Sequence, residues 1–135
     1  MTNPSTAVFQ TKQRADHYDH IAPDGSEIRE LAEGLGGGLS HCTLPKGRVA
    51  KAVAHRTVVE EIWYCNCGYG QVWRKLGDTE ITVDVSPGSS LTSPRGTTSQ
   101  FRNTGDAPLC FVIATIPRWP GPEEAMPQPG KWEVA

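Results

Sequence analysis

The chain has 135 residues, with 13 Lys and Arg against 15 Asp and Glu and a formal charge of −2. That length suits one domain able to bury a core without covalent staples. With no basic run to track phosphates and no basic amphipathic stretch for a bilayer surface, nucleic acid and membranes are excluded as expected partners.

Residues 1–38 read as an N-terminal arm and edge segment. The first ten have neither a positive start nor an apolar stretch of signal-peptide length, and no run elsewhere approaches a membrane span, so a cytoplasmic protein is expected. An edge strand is expected around Ala7 to Gln10. Ser26 to Glu33 is open between a short helical turn and a strand closing one end of a barrel. Gly34 to Gly38 then stops any helix, because so little side chain loses too much backbone entropy on ordering.

From residue 39 to 120 the pattern changes. Short apolar runs, Leu39 to Leu44, Val49 to His55, Glu61 to Cys65, Gln71 to Lys75, Glu80 to Val85, Ser90 to Thr92, Thr98 to Arg102 and Leu109 to Ile116, alternate with turns rich in Gly, Pro, Asn and Asp. Several alternate apolar with polar, as in Ile81-Thr82-Val83-Asp84-Val85, which buries one face and wets the other. The prediction is an all-β barrel in a single domain. Residues 121–135 read as a C-terminal strap over it, with Trp119 and Trp132 placed to pin the tail.

Two stretches carry more than strand punctuation. His55 to Gly68 contains His55, Thr57, Glu61 and Gly68; Gly88 to Asn103 contains Gly88, Pro94, Gly96, Ser99 and Asn103. Their spacing resembles the two signature motifs of the cupin superfamily, except that Thr57 and Ser99 stand where that family carries histidines. The resemblance covers roughly residues 39–120. It implies a cupin-type double-stranded β-helix, or jelly roll, whose inward set at the family's divalent-metal site would be His55, Thr57, Glu61 and Ser99.

Hydroxyls are weak ligands for first-row metals, so two good ligands of four make a poor trap, and no tightly bound metal is expected. If a weakly bound divalent metal is present, its donors would be His55 and Glu61 with Gln100, turned inward by a bulge, or His41. Cys65 shares a strand face with Glu61 and is a conceivable soft ligand. His55 is open between a satisfied barrel histidine and a direct role, whereas an inward Glu61 needs a partner to offset its desolvation. Together they form a His/carboxylate pair suited to proton transfer. Thr57, Trp63, Cys65, Ser99, Gln100 and Phe101 are expected to line the substrate pocket, with Val112 as liner or core. For the aromatics, plain core packing is the competing reading.

Cys42, Cys65, Cys67 and Cys110 lie in strand-like segments, which suits buried thiols in a reducing compartment. Cys65-Asn66-Cys67 lacks the second pair a zinc site needs. Three functions stay open at this point: an isomerase, cyclase or lyase moving a proton with His55 and Glu61 as catalytic residues; a metal-dependent oxygenase or lyase with a reduced ligand set; and a non-catalytic module binding a small molecule. A homodimer is expected, because unpaired barrel edges seek partners.

Overall fold

A computed structural model of the chain describes residues 9–55 and 58–135. Its strands are β1 (His20–Ile21), β2 (Glu27–Glu33), β3 (Gly38–Leu44), β4 (Val53–His55), β5 (Glu60–Cys67), β6 (Gly70–Leu76), β7 (Thr79–Val85), β8 (Ser90–Ser93), β9 (Thr98–Asn103), β10 (Leu109–Ile116) and β11 (Ala125–Pro127). A six-stranded sheet has the order β1-β2-β3-β10-β5-β8, and a five-stranded sheet β11-β4-β9-β6-β7. All the pairings are antiparallel. The chain changes sheet at β3–β4, β4–β5, β5–β6, β7–β8, β8–β9, β9–β10 and β10–β11, which rolls it into the expected jelly roll.

Alternation decides what fills the interior. Along β5, Glu61, Trp63 and Cys65 are withdrawn from water while Glu60, Ile62, Tyr64 and Asn66 are exposed. On β10, Leu109, Phe111, Ile113 and Thr115 form the matching inward row, so Val112 faces outward rather than lining the interior. Trp63, Phe101 and Phe111 meet edge to face with ring centroids 5.1–5.6 Å apart, joining the two sheets at the middle of the core.

The motif glycines and asparagine are backbone devices. Gly68, Gly88 and Gly96 have φ of +85°, +102° and +85°, the left-handed region where a side chain is strained. At Gly68 a Cβ would also overlap the Pro108 carbonyl. Asn103 donates to the Leu44 and Ala107 carbonyls and accepts from the Gly105 N–H, so one buried amide closes the turn after β9.

The structure differs from the sequence expectations at the periphery. Residues 1–8 lie outside the described residues, so only Phe9 and Gln10 of the expected edge strand can be placed, and they are not in a strand. Ser26 to Glu33 resolves as a strand: β2 pairs with β3 and extends the larger sheet. The run expected from Val49 to His55 is a strand only from Val53, with Val49 held by an isolated bridge to Arg102. Residues 10–19 lie against β2, where the Arg29 guanidinium donates to the Ala15 and Asp16 carbonyls and Gln10 and Asp19 side chains accept from the Glu33 and Glu30 amides.

Gln100 is the largest correction. Sequence reasoning placed it in the pocket, as a substrate contact or metal ligand, yet its amide faces the C-terminal strap. Nε2 donates to the Ala50 and Trp132 carbonyls, and Oε1 accepts the Lys131 and Trp132 N–H groups, all at 2.9 Å. A primary amide has two donor hydrogens and two acceptor lone pairs, and here all four are engaged. Trp132 lies beneath the Arg102 guanidinium at 4.3 Å, so the strap is held by Gln100 and Trp132 together. Gln100→Ala is therefore expected to destabilise the fold by about 2–4 kcal/mol, since it takes these hydrogen bonds from four backbone groups that are buried or partly buried. The measurement is urea unfolding combined with limited proteolysis, in which the variant's strap should be cut first.

Candidate functional site

Between the sheets lies a cavity of about 110 Å³. The sheets' inward residues wall it: Ser40 and Cys42 from β3, Val53 and His55 from β4, Glu61 and Trp63 from β5, Ser99 and Phe101 from β9, and Ile113 and Thr115 from β10. Ala22, Pro23, Asp24, Ser26 and Ile28 come from the turn before β2 and its first residues, while Trp119 and Ala125 come from the chain after β10.

At the wall, His55 Nε2 lies 3.3 Å from Glu61 Oε1, with 6% and 12% of the two side chains exposed. The low exposure matters because an ionised carboxylate there must be compensated. Compensation comes from three donors: Trp63 Nε1–H to Oε1 at 3.0 Å, the Thr115 hydroxyl to Oε2 at 3.3 Å, and the imidazole. The His55 ring is also braced edge-on by Trp119, with centroids 5.6 Å apart.

Electrostatics follow from this packing. Burial opposes the His55 proton, but the hydrogen bond and charge of Glu61, aided by Glu124 and Asp24, outweigh it and raise the imidazole above its ordinary pKa. When the ring is neutral, Nε2–H directed at Glu61 leaves Nδ1 with the lone pair. Nδ1 is buried and has no hydrogen-bond partner among the described residues. Asp24 is raised above the usual carboxylate range, chiefly by burial and further by Glu61, against the hydrogen bonds from Ser26.

The residues expected at the site divide clearly. His55, Glu61, Trp63, Ser99 and Phe101 converge on the cavity. Thr57 lies outside the described residues. Cys65 is fully buried below the cavity, its thiol against the Cys67 and Gly68 carbonyls and raised in pKa by that burial, so it belongs to the core and is not a substrate contact. His41 is on the other side of the larger sheet, because its neighbours Ser40 and Cys42 line the cavity and a strand alternates. There it is buried, and that burial, with Arg14 and Arg29 nearby, lowers its pKa.

Of the four donors expected for a weakly bound divalent metal, the cavity brings together only His55 and Glu61. His55 and Glu61 are directed at each other, Gln100 has no amide atom left, and His41 faces away. Among the described residues no three His, Cys, Asp or Glu side chains come together as ligands.

Sequence reasoning missed Asp24, Ser26, Cys42 and Thr115. The turn Pro23-Asp24-Gly25-Ser26 is legible as a turn, but nothing in its composition aims it into a barrel. Thr115 was within reach, as the polar end of the inward row Leu109, Phe111 and Ile113.

Similar architectures occur in solved structures. The capsular polysaccharide assembling protein CapF from Staphylococcus aureus superposes with a TM-score of 0.67 at 18% identity, over 79% of this chain and 32% of that one. A predicted oxalate decarboxylase from Thermotoga maritima gives 0.57 at 21% identity, over 67% and 79%. Peruvianin-I, a cysteine peptidase from Thevetia peruviana latex, gives 0.71 at 14% identity, over 95% and 80%. The chain thus spans about a third of the length of CapF, and three such different proteins on one architecture support the fold alone. No curated protein matches the sequence. Residues 40–115, more than half of the chain, match the cupin domain family, and the protein is a member of that family.

Proposed function

We propose that the protein binds a small organic molecule in this cavity and moves a proton on it, with His55 Nδ1 as the base and Glu61 holding the ring. Isomerisation, cyclisation and elimination are reactions of this kind. One observation carries the reading: a buried imidazole with one nitrogen fixed by a carboxylate and the other without a partner, in a wall shared with Trp63 and Phe101. A fixed tautomer and a pKa moved toward the working range are what a general base requires.

No tightly held metal is part of the proposal. The four cysteines are unpaired thiols, which supports a reducing compartment such as the cytoplasm. A homodimer completes the reading, and its support is the outer face of the larger sheet. There Ile62 stands opposite Ala114 and Tyr64 opposite Val112, with Ile62 and Tyr64 about half exposed. An uncharged strip on neighbouring strands fits a second copy of the same strip.

Three measurements test these statements. His55→Ala and Glu61→Gln are expected to fold normally and to convert the true substrate at least about 100-fold more slowly; conversion at the parent rate would overturn the mechanism, and binding without conversion by the parent would make this a sensor. Elemental analysis after growth in metal-replete medium should give well under one equivalent of any transition metal; a full equivalent surviving desalting rejects that part. In solution, light scattering should return a dimer that Tyr64→Asp splits, and a monomeric parent removes the dimer.

A fourth concerns pH. His55 titrates above its ordinary 6.5. Its stabilising contribution is therefore complete below that ordinary value and fades as pH rises through the folded value. In Glu61→Gln the burial remains while the opposing charge is lost, so NMR titration should show the His55 pKa falling. An unchanged midpoint would mean that the two groups do not interact in solution.

A further inference from the structure

The proton-transfer reading accounts for His55 and Glu61 but leaves a second carboxyl in the same cavity without a task. Asp24 is carried by a tight loop that precedes β2. Ala22 N–H donates to the Ser26 carbonyl at 2.8 Å, Gly25 N–H donates to the Ala22 carbonyl at 2.9 Å, and the Lys51 N–H donates to the Asp24 carbonyl at 2.8 Å. Gly25, at φ +95°, makes the turn possible. Within the loop both the Ser26 N–H, at 2.9 Å, and the Ser26 hydroxyl, at 2.6 Å, donate to Asp24 Oδ1. Ser26 thus fixes Oδ1 in a residue that lines the cavity.

The charge around it is unusual. Asp24, Glu30 and Glu61 line the cavity with His20 and His55, and among the described lining residues there is no Lys or Arg. A carboxylate or phosphate ligand would meet three carboxyl groups with no Lys or Arg to offset its desolvation. An uncharged ligand carrying one polar group meets Trp63, Phe101 and Ile113 for its body and Asp24 for that group.

Resting on the His55 reading, we propose that Asp24 is the catalytic acid of this cavity and that its substrate is an uncharged carbonyl compound with an acidic C–H beside the carbonyl. His55 Nδ1 takes the proton from carbon, the C–H electron pair becomes the C=C bond of an enol, and the carbonyl π pair takes the proton of the Asp24 carboxyl. Imidazolium and carboxylate are left. Return of the His55 proton to a different carbon or face, and of the enol O–H proton to Asp24, regenerates both groups, so no oxidant, reductant or co-reactant is needed. Two groups of opposite duty with separately tuned environments are the usual mark of acid and base assignments, and burial keeps Asp24 protonated further up the pH scale than an ordinary aspartate.

The test is deuterium exchange at the carbon beside the carbonyl, followed by NMR in heavy water, with cyclohexanone and acetoin as uncharged probes and pyruvate as the anionic one. Asp24→Asn keeps the Oδ1 acceptor for Ser26 and hence the turn, which its melting temperature checks; Asp24→Glu keeps the acid. The parent should accelerate exchange of an uncharged probe and not of pyruvate. Asp24→Asn should cut that rate at least tenfold, with Asp24→Glu recovering part of it. Exchange lost in His55→Ala but untouched in Asp24→Asn overturns the role of Asp24 and leaves the His55 reading standing. Exchange surviving both variants overturns both. Acceleration of pyruvate alone, or of no probe, overturns the proposed substrate class.

Discussion

The demand of one buried carboxylate organises the middle of this molecule. Glu61 is nearly withdrawn from water, and an ion in that position costs several kcal/mol unless its oxygens are satisfied. The Trp63 indole, the Thr115 hydroxyl and the His55 ring satisfy them, and they come from β5, β10 and β4. Both sheets must therefore be in register before the charge is tolerable. The same contacts that make Glu61 admissible fix the imidazole beside it, so structural necessity and chemical readiness share one set of hydrogen bonds.

The second motif shows how a fold can be kept while a site is changed. Its glycines hold left-handed turns and its asparagine closes a loop, and these duties do not depend on a metal. Ser99 still looks into the cavity, whereas Gln100, one residue on, looks the opposite way and fastens the strap. Alternation thus lets neighbouring positions on one strand serve the cavity and the strap separately.

The barrel was legible in the sequence because period-two alternation and turn residues are local signals, and from Gly38 to Ile116 they agree with each other. The family resemblance implies that Glu61 and Ser99 point inward, and alternation then carries Trp63 and Phe101 to the same faces. Alternation turns His41 and Gln100 away from the cavity: Leu44 is inward, so parity assigns Cys42 and Ser40 to it and excludes His41, and Ser99 and Phe101 exclude Gln100 in the same way. Asp24 was not legible at all. Its position depends on backbone hydrogen bonds to a turn and to Lys51 that no spacing rule encodes.

Half of the cavity's lining residues, from His20 to Leu39 and then Trp119 and Ala125, fall outside the span that matches the family. The inherited barrel is thus a frame with one side missing, and the segments before and after it supply the remaining panels. Diversification in such a protein need not touch the frame: replacing the flanking panels reshapes the chamber, its charge and the molecules it admits, while every strand of the inherited scaffold stays as it was.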